Sequence, residues 1–311
     1  MVETGIAEIG QPAREAFFRW AGWSVFTGSD HRTVVNGVLL RARTGVPWPD
    51  LPERYGPWQT VYERHRRWSA DGTWQRILAE LQIGADAADP DSALARRLER
   101  EWALNIDSTS CRAHQHAAGA RHRPPRDVPQ KGVTRAEVDG REALGRSRGG
   151  LTTRIHLLAD DRARPLTGQT TPGQRGDSPM LVPLLAGLRI GREGPGRPRC
   201  RPDRIHGDKA YSSRTNQACL RRRNIKATLA EPADQQANRR RRGWAGGRPP
   251  AFDTAQYRQR SAVERCVSKW KQFRAVASRF DKRDYTFNGT LTVAAIVIWL
   301  RDTVQEPSET T

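Results

Sequence analysis

The sequence predicts an α/β protein in which a strand-and-helix domain follows a smaller, all-helical one. Three observations carry that prediction. The 311 residues suit two units of ordinary domain size. From His31 to about residue 83, apolar side chains recur at helical spacing. From Glu101 onward, alternating and β-branched stretches interleave with helical ones. The expected divisions are a helical domain over 1–83, a linker over 84–100, the α/β domain over 101–302 and a disordered tail over 303–311.

In the helical part, Val34, Val35, Val38, Leu39 and Ala42 line one face of a helix that Gly45, Pro47 and Pro49 stop. The next segment, WQTVYERHRRWS, puts Trp58, Val61, Tyr62, His65 and Trp68 on one side and turns Arg64, Arg66 and Arg67 away from it. After a turn at Asp71 and Gly72, Trp74, Ile77, Leu78 and Leu81 repeat the pattern. Three short helices, one of them arginine-rich, are the layout of helix-turn-helix DNA readers, although three-helix packing also occurs without DNA.

In the α/β part, ALNIDSTS, TTRIHLLAD and PLTGQTTPG read as three neighbouring strands, with a loop rich in Arg, His, Pro and Gly over His114 to Arg148. Ser178 to Leu188 reads as a helix, RIHGD as a strand ending at Asp208, SSRTNQACLRRR as a helix and IKATLA as a strand. A basic loop, NRRRRGWAGGRPP, precedes one long helix from about Thr254 to Ser278 and an apolar closing helix. The most apolar stretch, Leu291 to Leu300, is about half the length that crosses a bilayer.

Fifty-three Lys and Arg against 34 Asp and Glu give a formal charge of +19 and a pI near 11.0, so the natural partner is a polyanion. Charge alone does not choose DNA over RNA. The first residues lack the basic and apolar regions of an export signal, so a cytoplasmic protein is expected. Cys111, Cys200, Cys219 and Cys266 stand far apart, which suggests neither a zinc ribbon nor a disulfide framework.

The most informative segment is YRQRSAVERCVSKWK. On a continuous helix, Tyr257, Arg260, Glu264 and Lys271 fall within roughly 60° of one another. Val263, Cys266, Val267, Trp270 and Phe273 occupy the adjacent arc and would bury the helix against a sheet. Such a stripe is also what a solvated ion-pair ladder looks like. Asp107 and Asp208, however, each end an expected strand, and adjacent strand ends would bring them together. Three carboxylates in one pocket repel unless cations neutralise them, and all-oxygen ligand sets favour Mg2+ or Mn2+. A pair of such ions suits phosphoryl transfer, one activating the attacking water or DNA 3′-hydroxyl and the other stabilising the departing oxygen.

Those residues resemble the DDE transposases of bacterial insertion sequences, in the IS-four/IS-five superfamily, whose signature is Tyr, Arg, Glu and Lys at this spacing. The similarity extends to ALNIDSTS, GLTTRIHLLADDRARPL, TPGQRGDSP, GDKAYSS and VNGVLLRARTGVPWPDLPERYGPWQTVYERHRRWS, covering about His31 to Arg301. The resemblance implies a ribonuclease-H-like catalytic domain and two divalent metals held by Asp107, Asp208 and Glu264. It further implies cleavage of double-stranded DNA at terminal inverted repeats, strand transfer into target DNA, and at least a dimer on paired ends. Tyr257, Arg260 and Lys271 are implied to contact DNA, and Arg64, Arg66 and Arg67 are expected to do so from the helical domain. Residues 1 to 30 depart from the leader of such proteins.

Other candidates are weaker. His114 and His116 lack carboxylate or cysteine partners at a metal-binding spacing, and His206 reads as a strand residue. Lys209, Arg221 to Arg223 and Arg239 to Arg242 are either solubilising or phosphate-contacting, and Trp244 is a candidate to stack on a base. Two alternatives stay open: a helix-turn-helix regulator that has lost catalysis, and a nuclease of the same fold that cuts without joining.

Overall fold

The structure, a computed structural model, describes residues 31–88, 101–120, 142–192, 194–250 and 252–304. Helices α1 (His31–Thr44), α2 (Trp58–Ala70) and α3 (Thr73–Ala88) come first. Gly45, at φ +67°, closes α1 with the left-handed backbone that glycine favours. The third helix runs through 84–88, into the segment expected as a linker, because Ala85 still packs into the core. Residues 89–100 and 1–30 lie outside the described residues.

The sheet begins with β1 (Ala103–Ala113), followed by a single helical turn α4 (Gln115–Ala118), then β2 (Gly145–Ser147), β3 (Gly150–Ala159) and β4 (Pro165–Pro172). Thus the two ends of the expected 114–148 loop are regular structure, and its middle lies outside the described residues. Helix α5 (Leu181–Gly187) leads to β5 (Arg204–Gly207), α6 (Arg214–Arg222) and β6 (Lys226–Leu229). After α7 (Ala233–Arg241) come α8 (Thr254–Arg258), α9 (Ser261–Lys271), α10 (Arg274–Ala277), a two-residue β7 (Ser278–Arg279) and the closing α11 (Asp284–Val304). No helix is long and apolar enough to cross a membrane, among the residues described.

The sheet is mixed, in the order β2-β3-β1-β5-β6, with β4 beside β3 and β7 beside β1. The strand β1 runs antiparallel to β3 and parallel to β5. Side chains alternate between faces along β1, so Asn105 and Asp107 face one way and Leu104, Ile106 and Ser108 the other. One face is covered by α9 and α11 through Leu157, Val263, Cys266, Trp270 and Val293. The opposite face packs Leu104, Ile106 and Leu158 against α5 and α6 through Leu184 and Leu220. Gly168 on β4 leaves room for the Trp270 ring, which would lie 3.1 Å from a Cβ there.

The helical unit does not stand apart from the sheet. Val34, Trp68 and Trp74 share one apolar cluster with Phe287, Leu291 and Val297 of α11. A polar chain runs through the same contact. Arg41 meets Asp281 at 2.9 Å with both side chains 4% exposed. Asp281 also accepts from the Thr290 hydroxyl at 2.9 Å, and Thr290 lies 3.2 Å from His65 Nε2. Trp74 Nε1 in turn donates to His65 Nδ1 at 3.2 Å. Truncating Trp74, 1% exposed, to alanine would cost on the order of 3–5 kcal/mol.

Candidate active site

Parallel pairing of β1 with β5 ends at Ile106 and Gly207, and each strand carries an aspartate one residue further on. Asp107 and Asp208 therefore lie side by side on strands about 4.8 Å apart. Gly207 permits that closeness: a Cβ there would meet Ile106 Cγ2 at 2.8 Å and Leu229 Cδ2 at 2.9 Å. Beyond this point β1 has no strand partner on the β5 side, among the described residues, until β7 pairs with Arg112.

Asp208 starts a single 3₁₀ turn, Lys209–Tyr211, and its carboxylate accepts from the Ala210 N–H at 2.9 Å. Asp107 Oδ1 accepts from the Ser108 N–H at 2.7 Å. Glu264 reaches the same region from the first turn of α9. Arg260, which caps α9, joins them: its guanidinium lies 3.4 Å from Asp107 Oδ2 and 2.5 Å from Glu264 Oε1. The same guanidinium is 5.6 Å from the Tyr257 ring centroid, and Tyr257 stands 5.0 Å from the Phe252 ring.

The expected continuous helix from Thr254 to Ser278 is broken twice, and this is a correction. Tighter i to i+3 bonds, from the N–H of Arg260 to the Tyr257 carbonyl and of Val263 to the Arg260 carbonyl, separate α8 from α9. Another, from Phe273 N–H to Trp270 O, ends α9. A 3₁₀ turn advances about 120° per residue instead of 100°, so Tyr257 and Glu264 do not share one ideal helical stripe. Arg260 connects the two segments in its place. Lys271 is exposed in the last turn of α9, about 10 Å along the axis from Glu264.

Burial pushes the Asp107 carboxyl above its ordinary range; the Ser108 N–H and Arg260 oppose this, while the charges of Asp208 and Glu264 add to it. Three acids in one field, with Arg260 set among them, make a place that attracts cations. An all-carboxylate donor set fits a hard divalent ion such as Mg2+ or Mn2+. As placed, no three His, Cys, Asp or Glu side chains among the described residues converge closely enough to grip a metal, and Arg260 spans the gap between Asp107 and Glu264.

The remaining sequence candidates are distributed more widely. On α2, Arg66 is bound twice by Glu63, at 2.9 and 2.8 Å, and Arg64 lies 3.3 Å from His31 Nε2, which leaves Arg67 as the exposed member of the three. His206 is buried with Nδ1 3.1 Å from Asn105 Oδ1, and His114 caps α4. Trp244 is 96% exposed on a turn that follows α7; Arg239 is paired with Glu231 and Arg241 with Asn238. Sequence reasoning missed Asp177, Arg154 and Ser108, which form a hydrogen-bonded group directly across the sheet from Asp107. Its only sequence trace is the acidic residue in TPGQRGDSP.

Comparison with known proteins identifies a family. A family model described as "Transposase DDE domain" matches residues 99–300, and one described as "Putative transposase of IS4/5 family" matches residues 19–78. A protein of Brucella ovis described as a "Putative transposase for insertion sequence element IS6501" is 31% identical over 151 residues, 49% of this chain and 100% of that protein. An uncharacterized protein of Sinorhizobium fredii is 39% identical over 105 residues, 34% of this chain and 73% of its own length. An uncharacterized 16.2 kDa protein of the insertion element IS402 from Burkholderia cepacia is 36% identical over 61 residues, 19% of this chain and 42% of its own. No solved structure matches.

Proposed function

Since the chain belongs to the DDE transposases of the IS4/5 type, we propose that Asp107, Asp208 and Glu264 are its catalytic carboxylates and together hold two Mg2+ or Mn2+ ions. The observation that carries this reading is the adjacency of Asp107 and Asp208 beyond the last rung of β1 and β5, with Glu264 brought to them through Arg260. The bound ions would supply Lewis acidity for in-line displacement at a DNA phosphate. A central antiparallel set, β4-β3-β1, extended by parallel β5 and β6, supports a ribonuclease-H-like catalytic domain over 101–302.

The chain's own residues then have distinct tasks. Arg260, once released from Asp107, presents a planar two-pronged donor to a phosphate oxygen. Tyr257 limits its swing by lying under the guanidinium. Lys271, at the exposed end of α9, contacts the phosphate backbone further along. Arg64, Arg66 and Arg67 of the helical unit over 1–83 bind the terminal repeats, with Arg67 the freest. Arg240, Arg242 and Trp244 flank the path of the DNA between β6 and α8. Cleavage at the element ends and transfer into target DNA are carried out by at least two copies on paired ends, in the cytoplasm.

A labelled duplex carrying the element's flanking ends tests the function. With magnesium, the protein is expected to release the ends and join them to a target plasmid. Cut ends with no joined product would identify a nuclease instead. Binding without either product, in a protein insensitive to Asp107→Asn, would identify a DNA-binding regulator.

A further inference from the structure

The ladder brings Asp107 and Asp208 near each other, but both lie past the last β1–β5 rung, so no ladder hydrogen bond holds their separation. Resting on the reading of these two as catalytic carboxylates, we propose that the Asp177–Ser178 turn and Asn216 are positioning residues that fix their separation from the other face of the sheet.

The turn touches both carboxylate-bearing segments. On one side, Ser108 donates its N–H to Asp107 at 2.7 Å and its hydroxyl, on the opposite face, to Asp177 Oδ1 at 2.7 Å. Arg154 of β3 grips Asp177 with two nitrogens, Nε at 2.7 Å and Nη2 at 2.7 Å, and also donates to the Ser108 hydroxyl at 3.0 Å. His156, opposite Ser108 in the register, places Nδ1 3.6 Å from the same carboxylate and bonds Thr171 through Nε2 at 2.8 Å. On the other side, the buried Asn216 amide donates to the Ser178 carbonyl at 2.8 Å and hydroxyl at 3.2 Å, and to the Tyr211 carbonyl at 3.1 Å. Tyr211 closes the turn that Asp208 opens. Its hydroxyl is buried with no hydrogen-bond partner among the described residues.

A part-buried ion pair of this kind contributes modest net stability, because desolvation offsets much of the attraction. Its value lies in geometry: a two-pronged arginine grip leaves Asp177 one orientation, and Asp177 leaves Ser108 one position. Residues that orient ligands in this way set metal affinity, and their loss typically weakens binding about 10–100-fold.

The test is manganese binding to the full chain without DNA, followed by electron paramagnetic resonance, with melting measured alongside. Asp177→Asn is expected to weaken manganese binding at least about tenfold, and Asn216→Ala several-fold. Glu101→Gln breaks the Glu101–Arg204 pair at the far end of β5 and serves as the control; it is expected to lower the melting temperature and leave manganese affinity unchanged. The proposal is overturned if Asp177→Asn and Asn216→Ala behave like Glu101→Gln. Should Asp177→Asn not fold, Asn216→Ala decides alone. Failure of the underlying carboxylate reading has a different signature: Asp107→Asn would then bind manganese as the wild type does.

Discussion

Buried Asp281 and half-buried Asp107 each face an arginine, yet their surroundings drive them in opposite directions. Burial alone would raise the Asp281 carboxyl, but Arg41, His65 and the Thr290 hydroxyl together hold it below its ordinary range. Burial also raises Asp107, and there Asp208 and Glu264 add to the effect against Ser108 and the shared Arg260. The first arrangement is closed, with its charge matched inside the fold. The second sets Asp107, Asp208 and Glu264 around Arg260, more negative charge than that one guanidinium matches among the described residues. A closed network holds three N-terminal helices to α11, whereas a group of three carboxylates sharing one arginine is suited to take up external cations.

The largest expected effect breaks the open site. Asp208→Asn keeps an oxygen to accept from Ala210 and removes only the charge. Strand cleavage should fall at least about a thousandfold, roughly 4 kcal/mol of lost transition-state stabilisation, with the melting temperature unchanged. Retained cleavage in that variant would remove Asp208 from the site.

Breaking the closed network should do the reverse. Asp281→Asn leaves Arg41 charged, buried and unmatched, at a cost of about 3–5 kcal/mol in stability, read by urea unfolding. The surviving folded fraction should cleave DNA at the normal rate. A specific activity that falls with stability unaltered would contradict the division of labour.

Acid sharpens the same contrast. Burial pushes His65 down to about 4 and His156 also down to about 4, against an ordinary value of 6.5. Between those values the unfolded chain binds more protons than the folded one, so stability rises with pH across that window and is lost as pH falls through it. Each imidazole contributes up to about 3 kcal/mol, and melting curves at pH 7, 6, 5 and 4 should show a progressive decline that His65→Gln partly flattens. A flat profile would mean that neither imidazole is neutral and enclosed as described.

The smallest effects belong to the exposed arginines. Replacing Arg240 or Arg242 by glutamine should reduce the slope of log DNA affinity against log salt by about 0.9 for each phosphate no longer neutralised, without altering cleavage of saturated DNA. An unchanged slope would exclude them from the DNA path.

Much of this arrangement was legible in the sequence where the signal is local. Alternation in ALNIDSTS and RIHGD put Asp107 on a strand and Asp208 at the end of one, although β1 runs on past Asp107 to Ala113, and the spacing of Tyr257, Arg260 and Glu264 put them in one neighbourhood, although not on one continuous helix. The breaks around Gln259 and Gln272 were not legible, since neither proline nor glycine marks them. Pairs such as Arg41 with Asp281, separated by 240 residues, leave no periodic trace. Asp177 was hidden for the same reason: it lies in a turn while its partners Ser108 and Arg154 lie on β1 and β3, and only folding assembles them.

Magnesium-dependent joining of labelled element ends by wild type and by Glu264→Gln, with DNA affinity measured in the same samples, tests the catalytic assignment most directly. Loss of joining with affinity unchanged is the predicted result. Joining at the wild-type rate in Glu264→Gln would contradict it.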